Sequence, residues 1–433
     1  MTATADLLAF AAAPHVVPLG MRTAALRLLT DTLAVGCAGA SAPGAHGVLA
    51  AALGWGGGTV VPVLGRRVRL PEASAAFVNA FQIHALEWDA VHERAVVHAM
   101  SVVVAALHAS AHAHGADPED ALAALCVGVD VAAGLGLAAT SPLRFFRPAT
   151  AGLIGAALAV ARLRGLPAAA FADVLGLAYS ACAGTMQAHV EGSVALPLQV
   201  AGAARAAITA VDLVAHGLTG PHDALEGPFG YFRLFDDGDL SAYTHALGTW
   251  RIAELSIKPY PSGRASHATL GQLDAWRRGG LAAADVATMT LRAPPLVRRL
   301  VDRPWQSDMT PSYARLCLPF LAALMLTDGR IDPRRFVPAT FADPALRALG
   351  DRLTIAEDGT SDPNALFPQQ LTVLTNDRVF DTDIADALGT PANPLDAAAW
   401  HAKLDLALAL ALVPPPRDDL IARPLDWLTG AAP

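Results

Sequence analysis

The stretch AMSVVVAALHASAHAHGADPEDALAALCVGVDVAAGLGLA, residues 99–138, indicates the fold. It predicts a helix over 99–114 that closes at Gly115, because glycine is favoured just past a helix end. The run Asp117-Pro118-Glu119 predicts the start of a second helix, which continues into the 130s. Alanine and glycine at this density let helix axes approach closely, so the stretch favours a compact bundle of buried helices.

The same alanine-rich helical style covers most of the first 250 residues. Further helices are predicted over 20–36, 71–87, 150–164 and 197–216. After about residue 258 the style changes. Strands are predicted at 286–291, 352–355 and 370–374, a helix at 311–326, and a return to the first helical style at 396–412.

This change predicts a mainly α protein with two domains. The larger is all-helical, covers 1–257 and is completed by 395–433. The smaller is an α+β domain over 258–394, because strands mixed with helices after an all-helical half favour a separate unit.

The composition narrows the classes of function. Hydrophobic residues make up 53% of the 433 residues and charged residues 16%, which favours a large core and an exterior partly buried in an oligomer. A net charge of −8 argues against nucleic acid as a partner. The four cysteines are widely spaced with no CxxC pair, so we expect a cytoplasmic protein. Residues 32–65 carry no charge but hold too short an apolar run to span a bilayer, so no membrane partner is expected.

Lysine is almost absent: 29 of the 31 lysine and arginine residues are arginine. One lysine, Lys258, lies in a turn crowded with Tyr260, Arg264 and His267. Lysine can lose its proton when buried and is a compact point charge, whereas guanidinium is planar and always charged. We therefore predict a chemical role for Lys258, against the alternative of drift. The other lysine, Lys403, is expected on a solvated helix face.

Residues 84–98 form the densest polar segment, with three histidines and three carboxylates at the junction of two predicted helices. His98 is expected at a helix N-terminus, where the dipole disfavours imidazolium and suits the residue to general base work. Two alternatives stay open. The histidines and carboxylates could ligate a metal, although their spacing fits no familiar ligand pattern, or they could cap and bridge two helix ends.

Six ordered segments resemble the MmgE/PrpD family, which includes 2-methylcitrate dehydratase, cis-aconitate decarboxylase and iminodisuccinate epimerase. These segments are 29–39, 79–98, 147–157, 191–193, 217–230 and 258–267. The resemblance implies that the α+β domain is a lid inserted into the helical domain, and that the protein is a homodimer. It also implies an active site between the domains and no cofactor.

The family's active-site pattern carries over only in part. His98 matches the second active-site histidine, Asp89 the middle aspartate and Lys258 one of two active-site lysines. Glu87 stands where the family has aspartate, and Leu196 where it has the other lysine.

Two further positions also differ from the family's active-site pattern. Val91 stands in place of a threonine, and Arg147 in place of a histidine at a helix start. At such a start Arg147 would form an anion pocket, and the alternative is an arginine on the protein surface. A pocket with fewer polar groups favours an acid that is less charged or larger than methylcitrate.

The sequence therefore predicts a cofactor-independent lyase or isomerase that acts next to a carboxylate of a small organic acid. Dehydration is preferred, decarboxylation and epimerisation remain open, and a catalytically silent dimeric relative is the alternative. The assigned residues are His98, Lys258, Asp89 and Glu87 for catalysis, and Arg147, Tyr260, Arg264, His267 and His92 for substrate binding, with no metal site.

Overall fold

The computed structural model describes residues 2–431, and helices dominate them. The helices before residue 250 are α1 Ala3–Ala12, α2 Leu19–Ala38, α3 Ala45–Gly54, α4 Glu72–His84, α5 Ala99–His114, α6 Pro118–Ala138, α7 Arg147–Leu163, α8 Phe171–Ser180, α9 Gln187–Glu191, α10 Ala195–Ala215, α11 Tyr231–Leu234 and α12 Leu240–Thr244. A two-residue antiparallel pair, β1 Val61–Pro62 and β2 Arg69–Leu70, lies between α3 and α4.

The second part of the chain holds the larger sheet. Its strands are β3 Val286–Ala293, β4 Leu353–Glu357, β5 Gln369–Thr375 and β6 Val379–Ile384. Their order is β4-β3-β5-β6; β3 and β4 run parallel and the other neighbours run antiparallel. The helices are α13 His267–Arg278, α14 Pro295–Val301, α15 Pro311–Ala314, α16 Leu318–Asp328, α17 Pro338–Phe341, α18 Pro344–Gly350, α19 Ala397–Leu410, α20 Arg417–Ala422 and α21 Pro424–Thr429.

The stretch at 99–138 folds as predicted. Helix α5 begins at Ala99 and ends before Gly115, whose φ is +76°. Asp117 caps α6, since its side chain accepts hydrogen bonds from the backbone N–H groups of Glu119 and Asp120 at 2.8 and 3.3 Å. Every residue of α5 from Ala99 to Ala111 is buried, so this helix lies at the centre of the bundle.

Helices α6 and α7 approach each other as the glycine content predicts. A Cβ added to Gly155 would lie 2.3 Å from the carbonyl oxygen of Gly128, and one on Gly128 would lie 2.7 Å from the Cβ of Ala159. Only glycine fits at these two positions, and Ala159, which faces Gly128, carries no more than a methyl group. The close packing fixes the start of α7 next to the start of α5, where the polar segments lie.

The prediction of one continuous helix over 311–326 is wrong. It is two helices, α15 and α16, separated by Arg315, Leu316 and Cys317. Pro319 lies in the first turn of α16, where its missing N–H costs nothing, so a new helix starts there. The break places the side chain of Arg315 in the protein interior.

The C-terminal helix α19 packs on α2, and the sheet-containing segment lies between α12 and α19 in the chain. The domain bounds at 257/258 and 394/395, and the idea of a lid, remain predictions.

Two helices are long and apolar enough to cross a membrane by length and composition, α6 and α10. The most apolar part of α6 is 94% buried inside the protein, so packing accounts for its character, whereas α10 is 44% buried.

Candidate active site

The loop between α4 and α5 carries the polar cluster predicted from the sequence. Two of its residues have left-handed backbone conformations that are unusual for residues with a side chain, Glu87 with φ +53° and Val96 with φ +52°. A β-branched valine pays a steric penalty in this region, and such strain concentrates at functional sites. The loop is also tied to the segment before Lys258, because Val91 pairs with Ser256 in a β-bridge.

Asp89 lies at the centre of the cluster and joins two histidines. Its carboxylate is 3.0 and 3.1 Å from Nδ1 of His84, and 3.1 Å from Nδ1 of His98. An ionised carboxylate only accepts hydrogen bonds, so both imidazoles donate through Nδ1–H. This assigns the tautomer of His98 and leaves its Nε2 free of any hydrogen bond to the described residues.

Glu87 and Lys258 form a second pair beside the first. Nζ of Lys258 donates to the backbone carbonyl of Glu87 at 3.0 Å and lies 3.2 Å from its carboxylate. The same carboxylate lies 3.5 Å from Nε2 of His84. The four residues assigned to catalysis from the sequence, together with His84, therefore form one connected cluster.

The two histidines of the cluster have pKa values that are shifted in opposite directions. Burial opposes ionisation of Asp89, but the two imidazoles outweigh it and hold the pKa of its carboxyl well below its usual range. Burial also opposes a charge on His84, yet the Asp89 and Glu87 carboxylates prevail and raise the pKa of this histidine. At His98 burial prevails, and together with the positive charges of Lys258 and His84 it outweighs Asp89, so the pKa of His98 is lowered. His98 is thus suited to accept a proton.

The carboxyl of Glu87 stays ionised for a related reason. Burial disfavours its charge, but Lys258, His84 and His98 together outweigh burial and lower its pKa to about 2. The cluster therefore holds two carboxylates, and the positive charges beside them are those of Lys258 and of His84, whose pKa is raised.

His98 faces a narrow cavity of about 60 Å³ that is partly open to solvent. Most of its walls are apolar: Val91, Val96, Leu143, Phe146, Met186, Leu196, Gly263, Ala265, Leu300, Leu316 and Leu366. Its polar walls are Glu87, Glu93, His98, Arg147, His189 and Arg264. An apolar cavity with few convergent polar groups is typical of a small-molecule site, and both parts of the chain line it.

Three residues assigned to substrate binding do not line this cavity. His92 accepts from the backbone N–H of Ala95 and lies 2.9 Å from the carboxylate of Glu254. His267 is buried against Ser262, and Tyr260 packs on the His267 ring at 5.3 Å. These three stabilise the surrounding loops, which short sequence spacing alone could not distinguish from contact with a ligand.

Arg147 and Arg264 do line the cavity, but both are already paired. Arg147 makes two hydrogen bonds to Asp236 at 3.0 and 3.2 Å, and its other N–H groups bond to Ala95, Ser141 and Asn364. This arginine therefore has no free donor for a substrate, contrary to the expected anion pocket. The pairing was not predictable locally, since Asp236 lies 89 residues away in the chain.

The guanidinium of Arg264 is likewise hydrogen-bonded to other residues of the protein. Its Nε donates to Glu93 at 2.6 Å and its Nη1 to the carbonyl of Leu388 at 2.8 Å. Glu93, which the sequence analysis did not assign, thus balances a charge on the cavity wall. Neither arginine is arranged to hold a substrate carboxylate.

Both lysines donate hydrogen bonds to the loop between α4 and α5. Lys258 lies behind Glu87 and is not part of the cavity wall among the described residues. Lys403 is buried, which corrects the expectation of a solvated residue: Nζ lies 2.6 Å from the carboxylate of Asp31 and donates to the carbonyl of Trp88 at 3.2 Å. The two lysines therefore hold the carbonyl groups of the adjacent residues Glu87 and Trp88.

His84, Asp89 and His98 are also close enough to one another to be considered as ligands of a metal ion. One ligand atom from each lies within 4.8 Å of the others, a separation that suits a single ion. The hydrogen bonds between these same atoms account for the arrangement equally well. His92 lies outside this grouping, which differs from the set of three histidines considered from the sequence.

His189 is a further cavity residue that the sequence analysis did not assign. It lies in the polar segment 184–193, for which the sequence leaves open either a helix-breaking loop or a contribution to a site, and the structure places it in the short helix α9. Burial and the Arg303 guanidinium lower its pKa to about 3, so it is neutral. The run of His189, Glu191 and Ser193 was the available signal.

The pH dependence of kcat/KM should report the state of His98. The neutral form is the base, so activity is present above the pKa of His98 and is lost as pH falls through it. Because this pKa is lowered, we expect the acid limb to lie below the ordinary imidazole value of about 6.5. A kcat/KM profile measured in buffers of constant ionic strength would test this, and a limb at or above that value would contradict it.

Comparison with known proteins adds independent information. The family model described as the MmgE/PrpD N-terminal domain matches residues 5–243, and that described as the MmgE/PrpD C-terminal domain matches residues 260–422. Together the two matches cover most of the chain, including the loop between α4 and α5 and most of the sheet-containing part.

Curated relatives share low but extended similarity. A human protein named cis-aconitate decarboxylase is 26% identical over 74% of this chain and 69% of its own length. A cis-aconitate decarboxylase-like protein of Aspergillus oryzae is 24% identical over 84% of this chain and 81% of its own. A 2-methylcitrate dehydratase of Cupriavidus necator is 25% identical over 30% of this chain and 28% of its own.

Proposed function

Because the chain belongs to the MmgE/PrpD family, we propose that it is a lyase of the dehydratase type that acts on a small organic acid. The observation that carries this proposal is the state of His98. A neutral imidazole, held by Asp89 through Nδ1 and free at Nε2, lies on the wall of an apolar cavity. That is the arrangement needed to remove a proton from a carbon next to a carboxylate.

In the proposed reaction, Nε2 of His98 takes a proton from the carbon next to the substrate carboxylate. The electron pair of that C–H bond forms the new double bond as the neighbouring C–O bond breaks. The departing hydroxyl takes up one proton, and if His98 returns the proton it accepted, the net result is loss of water with His98 neutral again.

The remaining cluster residues position and balance this base. Asp89 fixes the ring of His98 and stabilises the imidazolium that forms during the reaction. Lys258 holds Glu87 through its carbonyl and carboxylate, and its positive charge keeps the pKa of His98 low. Glu87 contacts the cavity directly, so its carboxylate can orient a hydroxyl group of the substrate.

Decarboxylation is the second candidate, and a specific observation favours it. The relatives that align over three quarters or more of the chain carry the name cis-aconitate decarboxylase or a name derived from it, whereas the dehydratase relative aligns over 30%. Loss of CO₂ from such an acid leaves the electron pair of the broken C–C bond as a carbanion conjugated with a carboxylate, and a proton from solvent, carried by Nε2 of His98, would complete the reaction.

The test is proton NMR in D₂O with purified protein and a panel of acids. The panel contains cis-aconitate, 2-methylcitrate and citrate, each assayed before and after exhaustive chelation. We expect one acid to lose water or CO₂, or to take up deuterium next to a carboxylate, at a rate that chelation does not change. Activity that is lost to chelation and restored by a divalent ion would support the metal alternative instead. Ligand-induced thermal stabilisation without exchange or turnover would support a catalytically silent relative.

We retain the homodimer and the lid as proposals. In the most apolar part of α10 only 44% of the residues are buried, and Leu53 in α3 and Trp55 just after it are 52% and 46% exposed. A second copy of the chain would cover such surface. Sedimentation velocity would show one species of twice the chain mass if this is right.

A further inference from the structure

His189 lies on the wall of the main cavity with one ring nitrogen unpaired. The residue belongs to α9 and is 7% exposed. Its Nδ1 is 3.2 Å from Nη2 of Arg303, whereas its Nε2 has no hydrogen-bond partner within residues 2–431. Polar atoms of buried side chains are nearly always paired, so an unpaired nitrogen on a cavity wall is available to a ligand.

Arg303 determines which ring nitrogen of His189 carries the proton. A guanidinium has only donors, so Nη2 of Arg303 donates to Nδ1, and this nitrogen is the unprotonated one. The proton of the neutral imidazole is therefore on Nε2. The same Nη2 also donates to the backbone carbonyl of His189, which fixes the ring relative to its own backbone. The atom that His189 can offer to a ligand is thus an N–H donor and not a lone pair.

The two histidines of the cavity wall have opposite tautomers. His98 donates to Asp89 through Nδ1 and keeps a lone pair on Nε2. His189 accepts from Arg303 at Nδ1 and keeps a proton on Nε2. The group behind each ring sets this difference, because one is a carboxylate and the other a guanidinium. One histidine can accept a proton while the other donates a hydrogen bond.

His189 also stays neutral at ordinary pH. Burial and the Arg303 guanidinium lower its pKa to about 3, although the carboxylate of Glu87 opposes them. An imidazolium here would place a second positive charge next to Arg303. A neutral imidazole holds its remaining proton firmly, so it acts as a hydrogen-bond donor that does not lose the proton.

Contacts from the second part of the chain hold α9 in place. Gly192 ends α9 with φ +64°, and a Cβ added to it would lie 2.6 Å from the Cα of Tyr313. The carbonyl of Gly192 accepts from Oγ1 of Thr310 at 3.1 Å, and its N–H donates to the carbonyl of His189 at 3.1 Å. The guanidinium of Arg303 lies over the ring of Tyr313 at 5.0 Å. A donor that is already held in place needs little reorganisation during a reaction.

We propose that His189 is a further catalytic residue, whose Nε2–H donates a hydrogen bond to the substrate carboxylate as this group gains negative charge. The inference rests on the proposed function, in which His98 removes the proton from the neighbouring carbon. As that C–H bond breaks, its electron pair is shared with the carboxylate, which becomes enediolate-like, and the hydrogen bond from His189 becomes stronger. His189 keeps its proton throughout, so the loss of water balances as described above. Arg303 is a positioning residue, because it acts only through the ring of His189.

The first measurement is kcat and KM on the acid that is turned over in the D₂O panel. His189→Leu removes the donor, and we expect kcat to fall by about 10²–10³-fold, the loss found when one donor to a developing oxyanion is removed. KM should change much less, because the hydrogen bond is strongest in the transition state. His189→Gln, whose amide can donate, should recover part of the loss. His112→Leu is the matched control: this partly buried histidine lies outside the main cavity, so kcat should stay nearly unchanged.

The tautomer is measured without a substrate, by NMR of protein that carries ¹⁵N-labelled histidine. The signals of His189 are those that are absent from His189→Gln. We expect an unprotonated Nδ1 and a protonated Nε2 that do not change between about pH 5 and pH 8. Arg303→Met removes the donor to Nδ1, so it should give a mixture of the two tautomers together with a smaller loss of kcat than His189→Leu.

A binding measurement separates this proposal from the proposed function. The nitronate form of 3-nitropropionate carries two negative oxygens on a planar nitrogen, as an enediolate carries them on carbon, whereas succinate has an ordinary carboxylate there. We expect the wild-type protein to bind the nitronate more tightly than succinate in calorimetric titrations. His189→Leu should raise the Kd of the nitronate by about 10–100-fold, the range for loss of a hydrogen bond to a charged group, and that of succinate much less. His189→Phe keeps a ring without a donor and should reproduce these results if His189→Leu does not fold.

Three results would overturn the proposal. They are a proton on Nδ1 of His189, a nitronate that the wild type binds no more tightly than succinate, and a His189→Leu variant that changes KM but not kcat. If no acid of the panel is turned over while nitronate binding still depends on His189, the lyase is removed and the donor role of His189 is retained. Turnover with an unchanged kcat in His189→Leu would keep the lyase and remove the donor.

Discussion

Replacement of His98 by glutamine is expected to lower kcat by about 10²–10⁴-fold while the protein keeps its fold. Glutamine can hydrogen-bond to Asp89 but cannot accept a proton at neutral pH. The backbone carbonyl of His98, which accepts from Ser101 at 2.7 Å, is retained, so the start of α5 should survive. The measurement is kcat on the acid that is turned over in the D₂O panel, with thermal melting of each variant beside it.

His108 provides a matched control on the same helix. It is 2% exposed and neutral, because burial together with nearby His112 and Arg69 holds its pKa well below the usual range, and it contacts Asn79 rather than the cavity. His108→Gln should therefore change stability more than kcat. An equal loss of kcat in His98→Gln and His108→Gln would show that the effect comes from the helix and not from proton transfer.

From the sequence alone, His84 is predicted to pack beside Trp88 on the preceding helix, so that His84→Gln would cost far less than His98→Gln. We now expect His84→Gln to give an intermediate loss of kcat. The structure shows it bonded to the same carboxylate as His98, with the two rings 4.9 Å apart. Glutamine at 84 would remove a positive charge that keeps Asp89 ionised, but it would leave the base in place.

The helical bundle was predictable because its signals are local. Glycine at 115, Asp-Pro-Glu at 117–119 and the apolar runs between them act within a few residues, and the bounds of α5 and α6 follow from them. Close packing of α6 on α7 was also predictable in kind, since small residues permit it. The sheet strands β3, β4 and β5 were found by alternation, whereas β6, with its exposed and acidic residues, was not.

The polar cluster was predictable as a set of residues but not as a network. Glu87, Asp89 and His98 lie within twelve residues of one another, and Lys258 stood out by composition. The protonation states depend on which charges lie side by side after folding. Burial, rather than the helix terminus, is the main reason that the pKa of His98 is lowered.

The arginines show the limit of sequence reasoning most clearly. An arginine in a polar segment and an arginine in an apolar segment look equally available for a ligand. Folding pairs Arg147 with Asp236, whereas Nε and Nη1 of Arg315, at the break between α15 and α16, have no hydrogen-bond partner among residues 2–431. Only long-range contacts decide which guanidinium is free, and no local pattern records them.

Replacement of Lys258 by arginine is expected to lower kcat by at least about 10²-fold, the loss that a misplacement of about 1 Å can cause. Lys258 is completely buried, and its compact ammonium reaches both the carbonyl and the carboxylate of Glu87. A guanidinium is bulkier and planar, so it cannot occupy the same position without moving the strained Glu87 backbone. The measurement is kcat with circular dichroism and thermal melting to confirm the fold.

The other lysine supplies the matched control for this change. Lys403 is equally buried and holds the carbonyl of the next residue, Trp88, but its charge is paired with Asp31. If Lys403→Arg lowers kcat as much as Lys258→Arg does, displacement of the loop explains both losses.

The variant Lys258→Met removes the positive charge of Lys258, so it separates the effect of that charge from the effect of side-chain shape. Because the positive charge of Lys258 lowers the pKa of His98, its removal should move the acid limb of kcat/KM to higher pH. An acid limb that stays in place would mean that Lys258 only supports the fold.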